Sequence, residues 1–202
     1  MEPGFARSDR GQISIAPNEA IRGKSQQSRK GGLAATWLGF GVAEEEVVMT
    51  GTAEKKLADL GVVLPAPPSS IANYVGYIRS GNLLFVAGQL CLADGVLVAK
   101  GKLGAEVSLE AGVAAARICA INVLAQAKLA LGDLDKITRV VRLGGFISST
   151  PAFVDGSKVL NGASDLMVQV FGDKGRHTRT ATGVSVIPTD AAVEVEATFE
   201  VA

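Results

Sequence analysis

The sequence predicts an α+β domain in which two amphipathic helices cover one face of a mixed β-sheet. Three observations lead there. Apolar runs with the two-residue period of strands flank two longer segments whose apolar residues return every three to four positions. Each of those longer segments is closed by a glycine, Gly132 and Gly172. Hydrophobic residues make up 48% of the 202 and charged residues 20%, the usage of an ordinary globular domain. The resulting order is strands, helix, strand, helix, strands, with no internal repeat.

Along the chain, residues 1–30 are rich in Ser, Gly, Gln and Arg, with Phe5 the sole aromatic and Ile13, Ile15 and Ile21 isolated. Such a segment buries too little apolar surface to offset its ordering entropy. Residues 31–48 add a short patch (Leu33, Trp37, Leu38, Phe40) and the acidic run Glu44, Glu45, Glu46, without the basic-then-apolar order of a secretory signal; the Arg- and Ser-rich leader resembles a transit peptide, but Glu2, Asp9 and Glu19 count against one. Residues 1–48 are therefore expected to be a disordered extension, with Met49 a candidate native start and residues 49–202 the domain. Residues 53–60 carry Leu57 and Leu60 at helical spacing and stop at Gly61; Pro65, Pro67 and Pro68 then impose an extended linker. Residues 74–78 and 83–89 form two strands around Ser80, Gly81 and Asn82, and Gly95 turns the chain into Val96, Leu97 and Val98, an antiparallel meander.

Ser108 is an N-cap with Glu110 in the first turn, and Val113, Ala116, Ala120, Leu124, Ala127 and Leu131 mark one stripe of a long helix. Residues 137–147 read as a strand and 159–171 as the second helix. Residues 180–187 and 192–201 close the sheet around the turn Pro188, Thr189, Asp190.

Twenty basic residues against twenty acidic ones give a formal net charge of +0, so no global field draws nucleic acid or an anionic membrane. Cys91 and Cys119 are far apart and His177 is the single histidine, which supports neither a disulfide framework nor a zinc site and fits a reducing cytoplasm. The longest apolar stretch, 111–131, is broken by Arg117, Asn122, Gln126 and Lys128, so no membrane span is expected. No dinucleotide, P-loop, nucleophile-elbow or zinc-protease motif occurs.

Chemistry must then come from scattered residues. Arg179 stands at the mouth of an apolar strand, where its guanidinium could clamp a planar carboxylate through two parallel hydrogen bonds. It could equally be an exposed edge-strand arginine, or pair with Glu194 or Glu196. Period-two alternation puts Glu194 and Glu196 on one face of their strand with the valines opposite. In a cleft one of them could activate water; facing solvent, both are solubilising charges. His177, beside Arg176 and Arg179, reads as a surface residue, and both cysteines as packing residues.

Several stretches together resemble a known family. They are Asn73, Tyr74 and Val75; the run Gly81 to Gln89; Arg179, Thr180, Ala181, Thr182, Gly183 and Val184 with Ile187 and Pro188; and Val193, Glu194, Val195, Glu196, Ala197. They resemble the Rid (YjgF) family of reactive-intermediate imine deaminases, also labelled endoribonuclease L-PSP, from about residue 53 to the end. The resemblance implies a chorismate-mutase-like fold of the bacillary type and a homotrimer with sites in the clefts between subunits. It implies hydrolysis of 2-imino acids such as 2-iminopropionate to 2-keto acids and ammonia, with no cofactor and no metal. Arg179 would bind the substrate carboxylate and Glu194 would handle the water, with Tyr74, Gly88 and Asn161 completing the binding site. Ala87 stands where family members often carry Ser, Ala181 where they often carry Cys, and the loop 149–157 is longer, marks of a divergent subgroup. A non-catalytic metabolite-binding or regulatory trimer and an endoribonuclease are the alternatives.

With both helices on one face, the other face, including the positions of Val184, Val186, Val193 and Val195, is expected to need a partner. Deleting residues 1–48 is expected to leave the melting temperature and ligand binding unchanged, measured by differential scanning fluorimetry and titration; a large drop in melting temperature would identify a docked element there.

Overall fold

Alternation along the last strand sorts the two faces of the sheet. In the computed structural model, which describes residues 51–67 and 73–202, Val193, Val195, Ala197, Phe199 and Val201 are buried. Glu194, Glu196, Thr198 and Glu200, between them, are partly exposed. The expectations for residues 1–48 lie outside the described residues.

The elements run α1 (Thr52–Asp59), β1 (Tyr77–Ser80), β2 (Leu83–Leu90), β3 (Leu92–Ala93), β4 (Val96–Leu97), α2 (Leu109–Leu131), β5 (Ile137–Ser148), α3 (Gly156–Phe171), β6 (Thr178–Val184) and β7 (Val193–Val201). The main sheet has the order β1-β2-β7-β5-β6. β7 is antiparallel to both β2 and β5, whereas β5 and β6 are parallel, joined across α3. The sheet is thus mixed and the class α+β, with α2 and α3 on the same face. Three element bounds and one strand pairing differ most from the sequence reading. β1 begins at Tyr77 rather than 74, because ahead of it the sheet is continued only by the Ala87 N–H donating to the Gly76 carbonyl (3.0 Å). β3 and β4 pair only with each other and leave the meander. α3 starts at Gly156, one turn early. β6 covers 178–184, ending as the chain turns toward Pro188.

α2 is the spine of the core. Ser108 Oγ accepts from the Ala111 N–H (3.2 Å) and Gly132 closes the far end. By length and composition this helix could cross a membrane, with a mean hydropathy of 1.4, yet 56% of the apolar window is buried inside the fold, which accounts for its apolarity. Val123 and Leu124 are fully buried, each contributing roughly 1.5–3 kcal/mol. Its buried Asn122 donates to the Leu90 and Leu92 carbonyls (3.0 and 2.9 Å), tying the helix to the end of β2. α1 docks through Asp135, whose carboxylate accepts from the Thr52 and Ala53 N–H groups (2.6 and 2.9 Å). The Thr52 amide is the main reason that carboxyl lies below its ordinary value, so this tether is complete above the usual carboxylate range and weakens as pH falls through the depressed value.

The helices cross closely at Gly162. A methyl there would strike the Val113 carbonyl oxygen of α2, backbone that cannot swing aside. Gly162→Ala is therefore expected to destabilise the fold by about 1–3 kcal/mol in urea unfolding. Unchanged stability would mean that the helices are free to separate.

Candidate active site

The side chains singled out in the sequence fall into two groups, one on each face of the sheet. On the face without helices, Glu194 pairs with Phe146 and Leu90, and Glu196 with Gly144. Both carboxylates lie over glycines. A methyl at Gly88 would collide with the Glu194 carboxylate, and one at Gly144 would stand 2.5 Å from Glu196 Oε1. Gly88 belongs to a bulge between Val86 and Gln89, pinned by the buried Gln89 Nε2 donating to the Ala87 and Gly88 carbonyls (3.0 and 3.2 Å). The bulge makes the shelf on which Glu194 rests. Burial is the main reason the Glu194 carboxyl is raised above its ordinary range, and the neighbouring Glu196 charge adds to it. Glu196 itself is paired with Arg142 (3.0 Å). Beside them a groove of about 460 Å³ is rimmed by Val75, Tyr77, Ile78 and Phe85. Tyr74 is 55% exposed on the approach to β1.

On the helix face, Arg179 pairs in register with Leu143, a fully buried core residue, so the pleat aims its side chain toward α3. Arg179 Nη1 donates to Asn161 Oδ1 and Ser164 Oγ (both 2.9 Å), and Nη2 to the Ser157 carbonyl (3.2 Å). These three bonds occupy both Nη1 protons and one on Nη2, leaving the Nε–H and the second Nη2–H. Among the described residues no acidic side chain forms an ion pair with Arg179. The salt-bridge alternative to Glu194 or Glu196 is thereby removed, since Glu196 is taken by Arg142 and both glutamates lie on the opposite face.

The structure thus joins Arg179 to Asn161, and Gly88 to Glu194, but holds the two pairs on opposite sides of one sheet. The expectation that Val193 and Val195 face a partner is corrected: both are buried beneath the helices, and the uncovered face is the one bearing the glutamates. Val186, 67% exposed, remains uncovered. The sequence reading did not single out Ser164, three residues after Asn161 and so on the same side of α3, and it left His177, two residues before Arg179 and just ahead of β6, as a surface residue. Both spacings were visible. Instead His177 is half-buried and bonded to Ser164 (3.0 Å).

Other reactive groups have structural partners. Cys91 and Cys119 are fully buried; the Cys119 thiol holds Cys91 down to about 6, while burial pushes Cys119 up. Oxygens of Glu54, Asp133 and Asp135 lie within 4.8 Å of one another. Glu54 accepts from Lys128 Nζ (2.6 Å) and the Leu134 N–H (3.0 Å), so the cluster fastens α1 to the end of α2.

Comparison with known proteins agrees with this architecture. The family model described as "YjgF/chorismate mutase-like, putative endoribonuclease" matches residues 54–200. Protein TCP17 of Trypanosoma cruzi is 48% identical over 155 residues, 76% of this chain and 97% of that protein. The crystal structure of Atu1372 from Agrobacterium tumefaciens superposes with a TM-score of 0.71 at 45% identity, covering 75% of this chain and 93% of that one. The Escherichia coli YjgF gene product, 21% identical with a TM-score of 0.51 over 67% of this chain and 93% of its own, shares the fold. With a matching family model over most of its length and relatives above 40% identity, the chain belongs to the YjgF/chorismate mutase-like family.

Proposed function

We propose that this protein is an imine deaminase that hydrolyses reactive 2-imino acids to 2-keto acids and ammonia. The observation that carries the reading is the Arg179 guanidinium, braced by neutral oxygens from α3 and left with two donors and, among the described residues, no counter-charge. Two donors on adjacent nitrogens match the two oxygens of one planar carboxylate. A bound 2-imino acid would place its electrophilic C2 next to that carboxylate. Water adds to C2 of the protonated imine as Glu194 takes one of its protons; the resulting carbinolamine receives that proton on nitrogen, the C–N bond breaks to expel ammonia, and the hydroxyl proton passes to Glu194 as the C=O bond closes, to leave with the ammonia as ammonium. Carbon changes no oxidation level, so the balance needs only water. A carboxyl raised by burial suits both halves of the exchange, since it takes up a proton more readily than an exposed carboxylate and can return it.

Because Arg179 and Glu194 occupy opposite faces of one sheet, our reading needs a second copy whose glutamate-bearing face meets the Arg179 edge of the first. The homotrimer of the resembling family supplies such clefts. An endoribonuclease is less well supported: Glu194, Glu196 and Glu200 line the uncovered face of β7, which repels a phosphate backbone.

Arg179→Lys is expected to lower kcat/KM roughly ten- to a hundredfold for carboxylate-bearing imines, because charge stays and the two-pronged geometry goes. Glu194→Gln is expected to lower kcat, leave 2-keto acid affinity nearly intact and abolish an acid limb lying above the ordinary carboxylate range. The assay generates imino acids with an amino-acid oxidase and reports their lifetime by semicarbazide trapping. Wild-type turnover in Arg179→Lys would refute the clamp. Arg179-dependent keto-acid binding with no acceleration of hydrolysis would identify the binding or regulatory trimer instead.

A further inference from the structure

We propose that Ser164 and His177 form a one-directional hydrogen-bond relay that positions Arg179, making both of them positioning residues for carboxylate binding. The inference deepens the reading of Arg179 as a carboxylate clamp and rests on it. Ser164 Oγ lies 2.9 Å from Arg179 Nη1 and 3.0 Å from His177 Nε2, and His177 Nδ1 lies 2.6 Å from the Gly175 carbonyl oxygen. Both ends of this chain have only one possible role. A guanidinium N–H only donates, so Ser164 Oγ accepts from Arg179; a carbonyl oxygen only accepts, so His177 Nδ1 carries the proton. At 2.6 Å a bare Nδ1 would set two lone pairs against each other. In the neutral ring Nε2 is then an acceptor, and the Ser164 hydroxyl donates to it.

The direction runs Arg179 to Ser164 to His177 to Gly175. It turns the Ser164 oxygen toward the guanidinium and its proton away, where a freely rotating hydroxyl would spend part of its time presenting hydrogen to a cation. All the fixed points belong to α3 or to the turn just after it, Gly172–Gly175, at its buried residue Gly175. Arg179 is therefore held in its binding rotamer before any ligand arrives, and the entropy of ordering a long side chain is not charged to binding. Asn161 and the Ser157 carbonyl hold the rest of the guanidinium, and Ser164 is the contact whose polarity depends on a second residue.

The test combines a ligand-free measurement with a binding cycle. His177 is the only histidine in the chain, so a long-range proton–nitrogen NMR spectrum reports its tautomer without ambiguity. The relay requires the Nδ1–H form, and the Nε2–H form would overturn it. Pyruvate affinity is then measured for Ser164→Ala, Ser164→Thr, His177→Phe and the Ser164→Ala/His177→Phe double variant, with melting temperatures to confirm folding. Ser164→Ala and His177→Phe are each expected to weaken binding about tenfold, the double variant no more than either, and Ser164→Thr to restore it. Multiplying losses in the double variant, or wild-type affinity in Ser164→Ala, would overturn the relay. If the wild-type protein itself fails to bind pyruvate, the clamp reading falls on its own, and the His177 tautomer still decides the relay.

Discussion

Because β7 is hydrogen-bonded to β2 on one side and β5 on the other, its residues must alternate between the two faces of the sheet, with no freedom to rotate. Everything else follows from which face receives the helices. With Val193, Val195, Ala197 and Phe199 turned under α2 and α3, the glutamates between them are confined to the open face. The same pleat, carried through β5 into the parallel strand β6, puts Arg179 on the helix side at the sheet edge. A one-residue slip in either ladder would reverse these assignments and bury charge in the core, which is why the register is so strongly specified.

The chemistry is built from what the backbone leaves out as much as from side chains. The missing side chain at Gly88 gives the Glu194 carboxylate its shelf, and lying there half out of water raises its carboxyl. Arg179 is handled in the opposite way: neutral acceptors hold the guanidinium and no carboxylate among the described residues neutralises it. For the proposed addition of water to a carboxylate-bearing imine, an acid with a raised affinity for protons and a cation waiting for an anion are complementary needs.

Most of the fold was legible in the sequence because its signals are local. The Ser108 cap, the glycines after α2 and α3 and the two-residue alternation of β7 each report on a few neighbouring residues. The parallel pairing of β5 and β6 and the departure of β3 and β4 from the sheet depend on contacts distant in sequence, and no local pattern encodes them. The site divides in the same way. Gly88 and Asn161 were found through resemblance to a family, whereas the residues alone singled out Arg179 and Glu194 but left Arg179 open between a clamp, an exposed edge-strand arginine and an ion pair with Glu194 or Glu196. Only the register placed Glu194 and Glu196 across the sheet from it. The Ser164 and His177 contacts join α3 to β6; their spacings to Asn161 and Arg179 pointed to shared faces, but only the packing of helix against strand brings those faces together.

The central claim is that one chain carries the two halves of the site on opposite faces, so that a working site takes Arg179 from one subunit and Glu194 from another. Mixing tests this directly. Arg179→Lys and Glu194→Gln proteins, each strongly impaired alone, are unfolded together and refolded at equal concentration, and imino-acid hydrolysis is measured. Random assembly of a cyclic oligomer is predicted to recover about a quarter of wild-type activity, because about one interface in four brings an intact arginine against an intact glutamate. If the refolded mixture stays as impaired as its components while forming mixed oligomers, both residues act within one chain, and the account of the site given by the sheet register is wrong.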